Sequence, residues 1–240
     1  MSVVLVTGGT RGLGLAIVQR LLNEGYSIVA TGRERSPELT ALMDSHDDQV
    51  HFEGFDFNDT TNIRRFARHI GATYGRVYGL VNNAAVGHDG ILATMHETQI
   101  SELIRINIEA PALLTKYLLR PMLINGRGRV VNVSSIIAST GFSGLAVYGA
   151  TKAAIEGFTK SLSREVGPAG ITVNTICPGY MQTEMTDSLN DKALETIKRR
   201  SPLGKLVDVK DVAEGVAYLM GPGADMVTGS TLTIDAGSTA

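Results

Sequence analysis

Short apolar runs alternate along the 240-residue chain with longer stretches in which apolar residues recur every three to four positions. The runs at residues 3–6, 27–31, 50–55, 77–81, 129–133, 171–176 and 231–234 have the length of strands. Most of them lack the apolar/polar alternation of a strand with one wet face, which predicts burial on both faces. Residues 13–22, 36–43, 61–74, 99–123, 149–165 and 209–220 follow the helical period instead. Strand and helix in regular alternation predict a doubly wound α/β fold, a parallel sheet with helices on both faces. Gly25 stands just beyond the first helical stretch, where a left-handed residue ends a helix. Residues 178–205 carry Asp, Asn, Ser and Thr punctuation and at most short helices. A connection this long, leaving the C-terminal end of a strand, predicts a substrate lid. No Pro-rich, Ser-rich or charge-run linker divides the chain, so residues 1–240 are expected to form one domain.

Composition narrows the partners. A hydrophobic share of 43% supports a sizeable core. The formal net charge of −2 and pI near 6.2 supply no field for a polyphosphate backbone, and nucleic-acid binding is not expected. Cys177 is the single cysteine, so there is no internal disulfide, and its apolar neighbours suit an inert buried thiol. The first residues lack a secretory signal pattern, and no run of about 18 apolar residues is present to span a bilayer. The expectation is a soluble, cytoplasmic protein without membrane contact. None of the five histidines has a ligand partner at metal-binding spacing, so no metal site is expected.

Candidate chemistry begins at TGGTRGLG, residues 7–14, between the first strand and the first helix. Glycines there let the backbone approach a ligand while helix N–H groups face an anion, and pyrophosphate is the natural guest. Gly8, Thr10, Arg11, Gly12, Leu13 and Gly14 are therefore candidate cofactor contacts. The second strand ends in ATGRER, with no acid to accept from ribose hydroxyls. Arg33, with Arg11, instead suits a 2′-phosphate, which favours NADP(H) over NAD(H). Asp56, with Phe57 beside it, ends the third strand and can receive the adenine amino group or simply cap the next helix. In VYGATK, residues 147–152, Tyr148 and Lys152 lie four apart, so a helix places both on one face.

Together with the glycine loop, LVNNAA (80–85), RINIEA (105–110), VVNVSSIIAS (130–139), YGATK (148–152) and ICPGYMQTEM (176–185) occur in an order and at intervals that are very specific. The chain resembles the short-chain dehydrogenase/reductase family over almost its full length. That resemblance implies a Rossmann-like sheet of seven parallel strands and a homotetramer or homodimer built through helices at 99–123 and 149–165. It implies a catalytic group of Asn107, Ser135, Tyr148 and Lys152. Asn83 and Ala84 would lie against the adenosine ribose, and Pro178, Gly179, Met181 and Thr183 would shape the nicotinamide pocket. Tyr148 would donate a proton to a carbonyl oxygen that Ser135 also binds. Lys152 would lower the phenol pKa and, with Tyr148, hold the nicotinamide ribose; Asn107 would bend its helix and hold a water that joins Lys152 to solvent.

Ala85 stands where the family usually has glycine, which narrows the cofactor cleft by a methyl. Within the family, PLGKLVDVKDVAEGVAYLM (202–220) and TGSTLTIDAG (228–237) are most similar to 3-oxoacyl-[acyl-carrier-protein] reductases. A 3-oxoacyl thioester is therefore the expected carbonyl substrate, and acyl carrier protein a candidate partner. Ala169 replaces a basic residue those reductases often use toward the carrier, while Arg127 and Arg129 lie near a second expected basic patch. Sugars, polyols, steroids and cyclic ketones are the alternative substrates, because residues 88–95, 137–145 and 181–205 vary without disturbing the chemistry. A cofactor-sensing subunit without turnover is the alternative of another class, against which Ser135, Tyr148 and Lys152 all stand.

Overall fold

A computed structural model describes residues 1–181 and 191–240, except the side chains of residues 191–193. Seven parallel strands form one sheet in the order β3-β2-β1-β4-β5-β6-β7. They are β1 Val3–Thr7, β2 Ser27–Gly32, β3 Val50–Gly54, β4 Val77–Asn82, β5 Gly128–Val133, β6 Ile171–Pro178 and β7 Thr231–Ile234. Every residue of β5 and β6 is buried, their polar residues Arg129, Asn132, Thr172, Asn174 and Thr175 included. The strand order reverses between β1 and β4, so a crevice opens beyond their C-terminal ends, where ligands bind in open α/β sheets.

Helices α1 (Gly12–Asn23), α2 (Pro37–Ser45), α3 (Ile63–Tyr74), α4 (Glu97–Ile104), α5 (Ala110–Asn125), α6 (Ile137–Thr140), α7 (Ala146–Val166), α8 (Asp191–Arg200) and α9 (Val209–Met220) complete the described elements. Ile17, Val18 and Leu21 of α1 join Val212, Val216 and Met220 of α9 in the core on one face of the sheet. Phe66 and Ile70 of α3, Leu114 and Leu118 of α5 and Leu162 of α7 fill the other. Gly25, at φ 83°, follows α1 as expected.

Two elements depart from the expectation. The stretch at 178–205 holds the ten-residue α8, where at most short helices were expected. The punctuation lies before it, and DKALETIKRR is itself rich in helix formers with a basic last turn that suits the helix dipole. The single helix expected at 99–123 is interrupted by a π-helical turn at Arg105–Glu109, in which the N–H of Ala110 reaches back to Arg105 O.

A buried polar row ties the sheet to the helices that carry the site. The Asn82 amide donates to Thr115 Oγ1 at 3.0 Å and to Asn132 Oδ1 at 2.8 Å. Asn132 donates to Thr159 Oγ1 at 2.8 Å, and Thr175 bonds the same hydroxyl at 2.7 Å. Asn82, Asn132 and Thr175 are register neighbours on β4, β5 and β6. The row thus fixes how α7 lies across the strand ends, because an unpaired buried polar group in this apolar setting is costly.

Candidate active site

The crevice at the strand reversal is closed by a clasp between the turns after β1 and β4. Thr7 Oγ1 accepts from the N–H groups of Asn83 and Ala84, both at 2.9 Å, and donates to Val81 O at 3.2 Å. The Asn83 side chain donates to Thr7 O at 2.9 Å and Gly8 O at 3.1 Å. A Cβ on Gly14 would stand 1.9 Å from Gly8 O and 2.7 Å from Asn83 Nδ2, so Gly14 is required by the clasp itself. Gly12 differs: its φ is 53°, and a Cβ there would meet nothing within 4 Å. The backbone at Gly12 is thus open to an approaching ligand.

The first turn of α1 has neither a side-chain cap nor an acidic residue, although Arg11 occupies the N-cap position. Its N–H groups and dipole therefore favour an anion, and the site fits a dinucleotide pyrophosphate. Leu13 is buried in the core, so it offers that anion only its backbone. A groove lined by Arg11, Gly12, Leu15, Ser36, Pro37 and Glu38 continues toward the start of α2. Thr10 packs over Gly32, whose Cβ would lie 2.9 Å from Thr10 Cγ2. Arg33 is exposed at the same strand end. Ser36, not foreseen from sequence, caps α2 by accepting from Leu39 N at 3.1 Å; the Ser-Pro pair was its available signal.

Asp56 accepts from Asn58 N at 2.9 Å, a local turn that uses one carboxylate oxygen. Phe57 is buried and meets Phe55 and Phe66 edge-on, so its ring serves the core. Gly179 is needed for close packing, because a Cβ there would stand 2.7 Å from Asp235 Cα. Pro178 O accepts from Ile136 N at 3.1 Å, and Met181 bridges Val207. Thr183 lies outside the described residues, as does part of the expected lid at 178–205.

At the other end of the crevice the four expected catalytic residues converge. Tyr148 and Lys152 share one face of α7, and the Ser135 hydroxyl faces the Tyr148 phenol closely enough to favour its ionised form. Ser134 turns the other way: its Oγ lies 3.1 Å from Lys152 O and 2.9 Å from Glu156 Oε1. The two neighbouring serines thus have separate tasks. Lys152 is 4% exposed; its Nζ donates to Val133 O at 2.9 Å and lies 5.6 Å from the Tyr148 ring centroid.

Asn107 sits in the π-helical turn and does not bond its own backbone. Its Oδ1 accepts from Val86 N at 2.9 Å, while its Nδ2 donates to Val86 O at 2.9 Å and Thr151 Oγ1 at 3.1 Å. Thr151 in turn donates to Tyr148 O at 2.7 Å. Asn107 therefore joins the loop after β4 to the turn of α7 between the phenol and the amine. Thr151 was not singled out from sequence, although a threonine three residues after the tyrosine is placed for this back-bond.

The expected lowering of the phenol pKa is corrected by the geometry. Burial pushes Tyr148 up to about 12 although the nearby Ser135 hydroxyl opposes the rise, and burial pushes Lys152 down to about 8. The ammonium lies 5.6 Å from the ring centroid and donates to a backbone carbonyl, and desolvation is the largest influence on both groups. In a ¹³C titration of the ligand-free protein, Lys152 Cε is expected to show a midpoint near 8. A midpoint near the ordinary ~10.4 of lysine would show that the amine is solvated. The Cys177 thiol, beside this site, is pushed by burial up to about 12 and stays inert near neutrality.

The basic patch is also corrected. Arg129 is buried at the start of β5, paired with Asp225, with its guanidinium 5.9 Å from the Tyr78 ring centroid. Only Arg127 of the two is exposed. No group of acidic, Cys or His residues among the described residues is arranged to hold a metal, and no described helix is long and apolar enough to cross a membrane.

The sequence model of the family described as Enoyl-(Acyl carrier protein) reductase matches residues 8–239. The chain is 36% identical over 236 residues to 3-oxoacyl-[acyl-carrier-protein] reductase FabG of Vibrio cholerae, covering 98% of this chain and 96% of that one. A gluconate 5-dehydrogenase from Burkholderia cenocepacia, solved with NADP and tartrate, superposes with a TM-score of 0.94 at 26% identity, covering 99% of this chain and 95% of that one. A blue fluorescent protein from a metagenomic library, solved with NADPH, gives 0.91 at 32% identity, covering 100% and 98%.

Proposed function

The chain belongs to the short-chain dehydrogenase/reductase family of oxidoreductases, and from that premise we propose that it reduces the ketone of a 3-oxoacyl thioester with NADPH. The observation that carries the chemistry is Tyr148 with buried Lys152 one helical turn on, Lys152 Nζ held by Val133 O at 2.9 Å, and the Ser135 hydroxyl facing the phenol. Both hydroxyls address one oxygen. Charge that develops on a carbonyl oxygen during reduction would be met there by a proton donor and a hydrogen-bond partner. NADPH supplies the hydride when bound.

The remaining work belongs to the chain. The N-terminus of α1 and the open backbone at Gly12 hold the pyrophosphate, and Asn83 and Ala84 border the adenosine ribose. Pro178, Gly179 and Met181 wall the nicotinamide end. Lys152, with Tyr148, holds the second ribose and keeps a positive charge beneath the phenol. Asn107 keeps the α7 turn in register, and the opened π turn gives a water a place on the path by which Tyr148 is reprotonated. Ile104 of α4 and Leu123 and Ile124 of α5 are exposed apolar residues, which supports a dimer or tetramer built through this pair and α7.

The choice of NADPH rests on Arg33 and Arg11 at a strand end without an acid, next to the start of α2. Arg33→Ala is expected to weaken NADPH binding about tenfold, the scale of one charge-assisted hydrogen bond, and NADH binding much less. Equal effects in fluorescence titrations would remove Arg33 from the 2′-phosphate site.

The thioester reading is supported by the end-to-end similarity to 3-oxoacyl reductases. Recognition falls on the acyl thioester more than on a carrier protein, because Ala169 and the ion-paired Arg129 leave little of a basic docking patch. The test is NADPH consumption with an acetoacetyl thioester, a crotonyl thioester, keto sugar acids and cyclic ketones side by side. Turnover led by the acetoacetyl thioester is expected; turnover led by any of the others would replace this substrate class.

A further inference from the structure

We propose that Tyr180 is a second substrate-binding donor, whose hydroxyl bonds the thioester carbonyl of the 3-oxoacyl substrate; the inference rests on the reaction proposed above. Tyr180 follows β6 at the strand edge that carries the site, and its backbone is pinned. Gly179 N donates to Ile234 O at 2.8 Å, and Val207 N donates to Tyr180 O at 3.1 Å. Its side chain packs with Tyr148, Leu145, Ile136 and Ile137 in one cluster, and Phe142 meets its ring at 6.1 Å and 65°. The cluster is an apolar wall that includes the reactive phenol's ring.

The hydroxyl is the atom this packing does not explain. It is buried and has no hydrogen-bond partner among the described residues. Phenylalanine would fill the same space against Phe142 and Ile137 without leaving a polar group unpaired, and native structures rarely tolerate such a group without a purpose. Burial raises the Tyr180 pKa, as Asp89 does to a lesser degree, so the phenol remains a donor at neutral pH.

A 3-oxoacyl thioester needs such a donor. Its two carbonyl oxygens are in a 1,3 relation, and Tyr148 with Ser135 engages only the reacting one. The other loses its water as the acyl group enters an apolar wall, and Tyr180 lies in the wall that holds Tyr148. Bonding both oxygens fixes rotation about the carbons between them, which presents one face of the ketone. A simple ketone gains nothing from this contact.

The test compares wild type with Tyr180→Phe on two probes: acetoacetyl-N-acetylcysteamine thioester, and the thioether analogue in which a methylene replaces the thioester carbonyl. Wild type is expected to favour the thioester by roughly tenfold in kcat/KM, chiefly through KM, the scale of one buried hydrogen bond. In Tyr180→Phe that preference collapses to within about threefold, while NADPH still binds. A preference retained in the variant overturns the assignment of Tyr180 and leaves the proposed reaction standing. Absence of thioester turnover by wild type overturns the proposed reaction, and Tyr180 with it.

Discussion

Tyr148→Phe is expected to lower kcat by a factor of roughly 10² to 10⁴, the usual contribution of a positioned general acid. NADPH affinity should stay within about threefold, the scale of losing at most one weak hydrogen bond. The substitution removes one oxygen and keeps the ring, so the packing against Leu145 and Ile137 is preserved. Ser135 keeps its bond from Ile137 N at 3.3 Å and still faces the substrate. What is lost is the hydroxyl beside Ser135 that delivers a proton to the reduced oxygen while Ser135 binds it. The loss should fall on kcat, because the proton moves in the transition state. The pH dependence follows from the same geometry. With its pKa pushed up to about 12, Tyr148 is protonated throughout the neutral range, so reduction loses no acid there. Oxidation of the alcohol needs the phenolate, so its rate should climb as pH rises toward the folded pKa. Stopped-flow traces in both directions check this. A reduction rate that falls with a midpoint near 10 would show that the phenol is not desolvated.

Gly14→Ala is expected to have the second large effect, and through the fold. Its Cβ would lie 1.9 Å from Gly8 O, which also accepts from the Asn83 side chain. Neither neighbour is the free end of a flexible side chain, so the clasp between the turns after β1 and β4 must open. Overpacking of this kind costs about 1–3 kcal/mol or more. For a chain of this size each kcal/mol is about 2–4 °C in Tm. A drop of roughly 5–10 °C in calorimetry, with NADPH binding weakened at least tenfold, is the expected result. Gly12→Ala is the contrast, because its Cβ meets nothing within 4 Å and only the positive φ is penalised, at about 1–2 kcal/mol. A Gly14→Ala Tm within about 2 °C of wild type, less than about 1 kcal/mol, would contradict the clasp.

Much of this arrangement is legible along the chain. Runs such as 3–6 and 77–81 are apolar on both faces, and only a sheet covered on both sides buries them. Glycines between a strand and a helix point to an anion site, and Tyr148 with Lys152 points to one helical face. What is not legible is where a side-chain tip goes once the helix forms. The spacing of Tyr148 and Lys152 suggests that the ammonium meets the phenol oxygen, but the path of α7 over β5 sends Nζ to Val133 O. The interrupted helix at Arg105–Glu109 keeps its apolar stripe, so periodicity does not register one extra residue in a turn. Arg129 resembles surface charge in sequence, yet Asp225, 96 residues away, pairs with it. Phe57 follows a candidate adenine contact in sequence, but the aromatic cluster with Phe55 and Phe66 claims its ring. Ser134 and Ser135 are told apart by which faces Glu156 and which faces Tyr148, a distinction made by the twist of the chain after β5.

The most direct test of the proposed reaction is isotope transfer. NADPH carrying deuterium at both positions of the nicotinamide C4 is incubated with an acetoacetyl thioester and the enzyme, and the product is analysed by mass spectrometry. The expected product is a 3-hydroxybutyryl thioester with one deuterium, at C3. Unlabelled product, or deuterium at any other carbon, would contradict hydride delivery to the ketone.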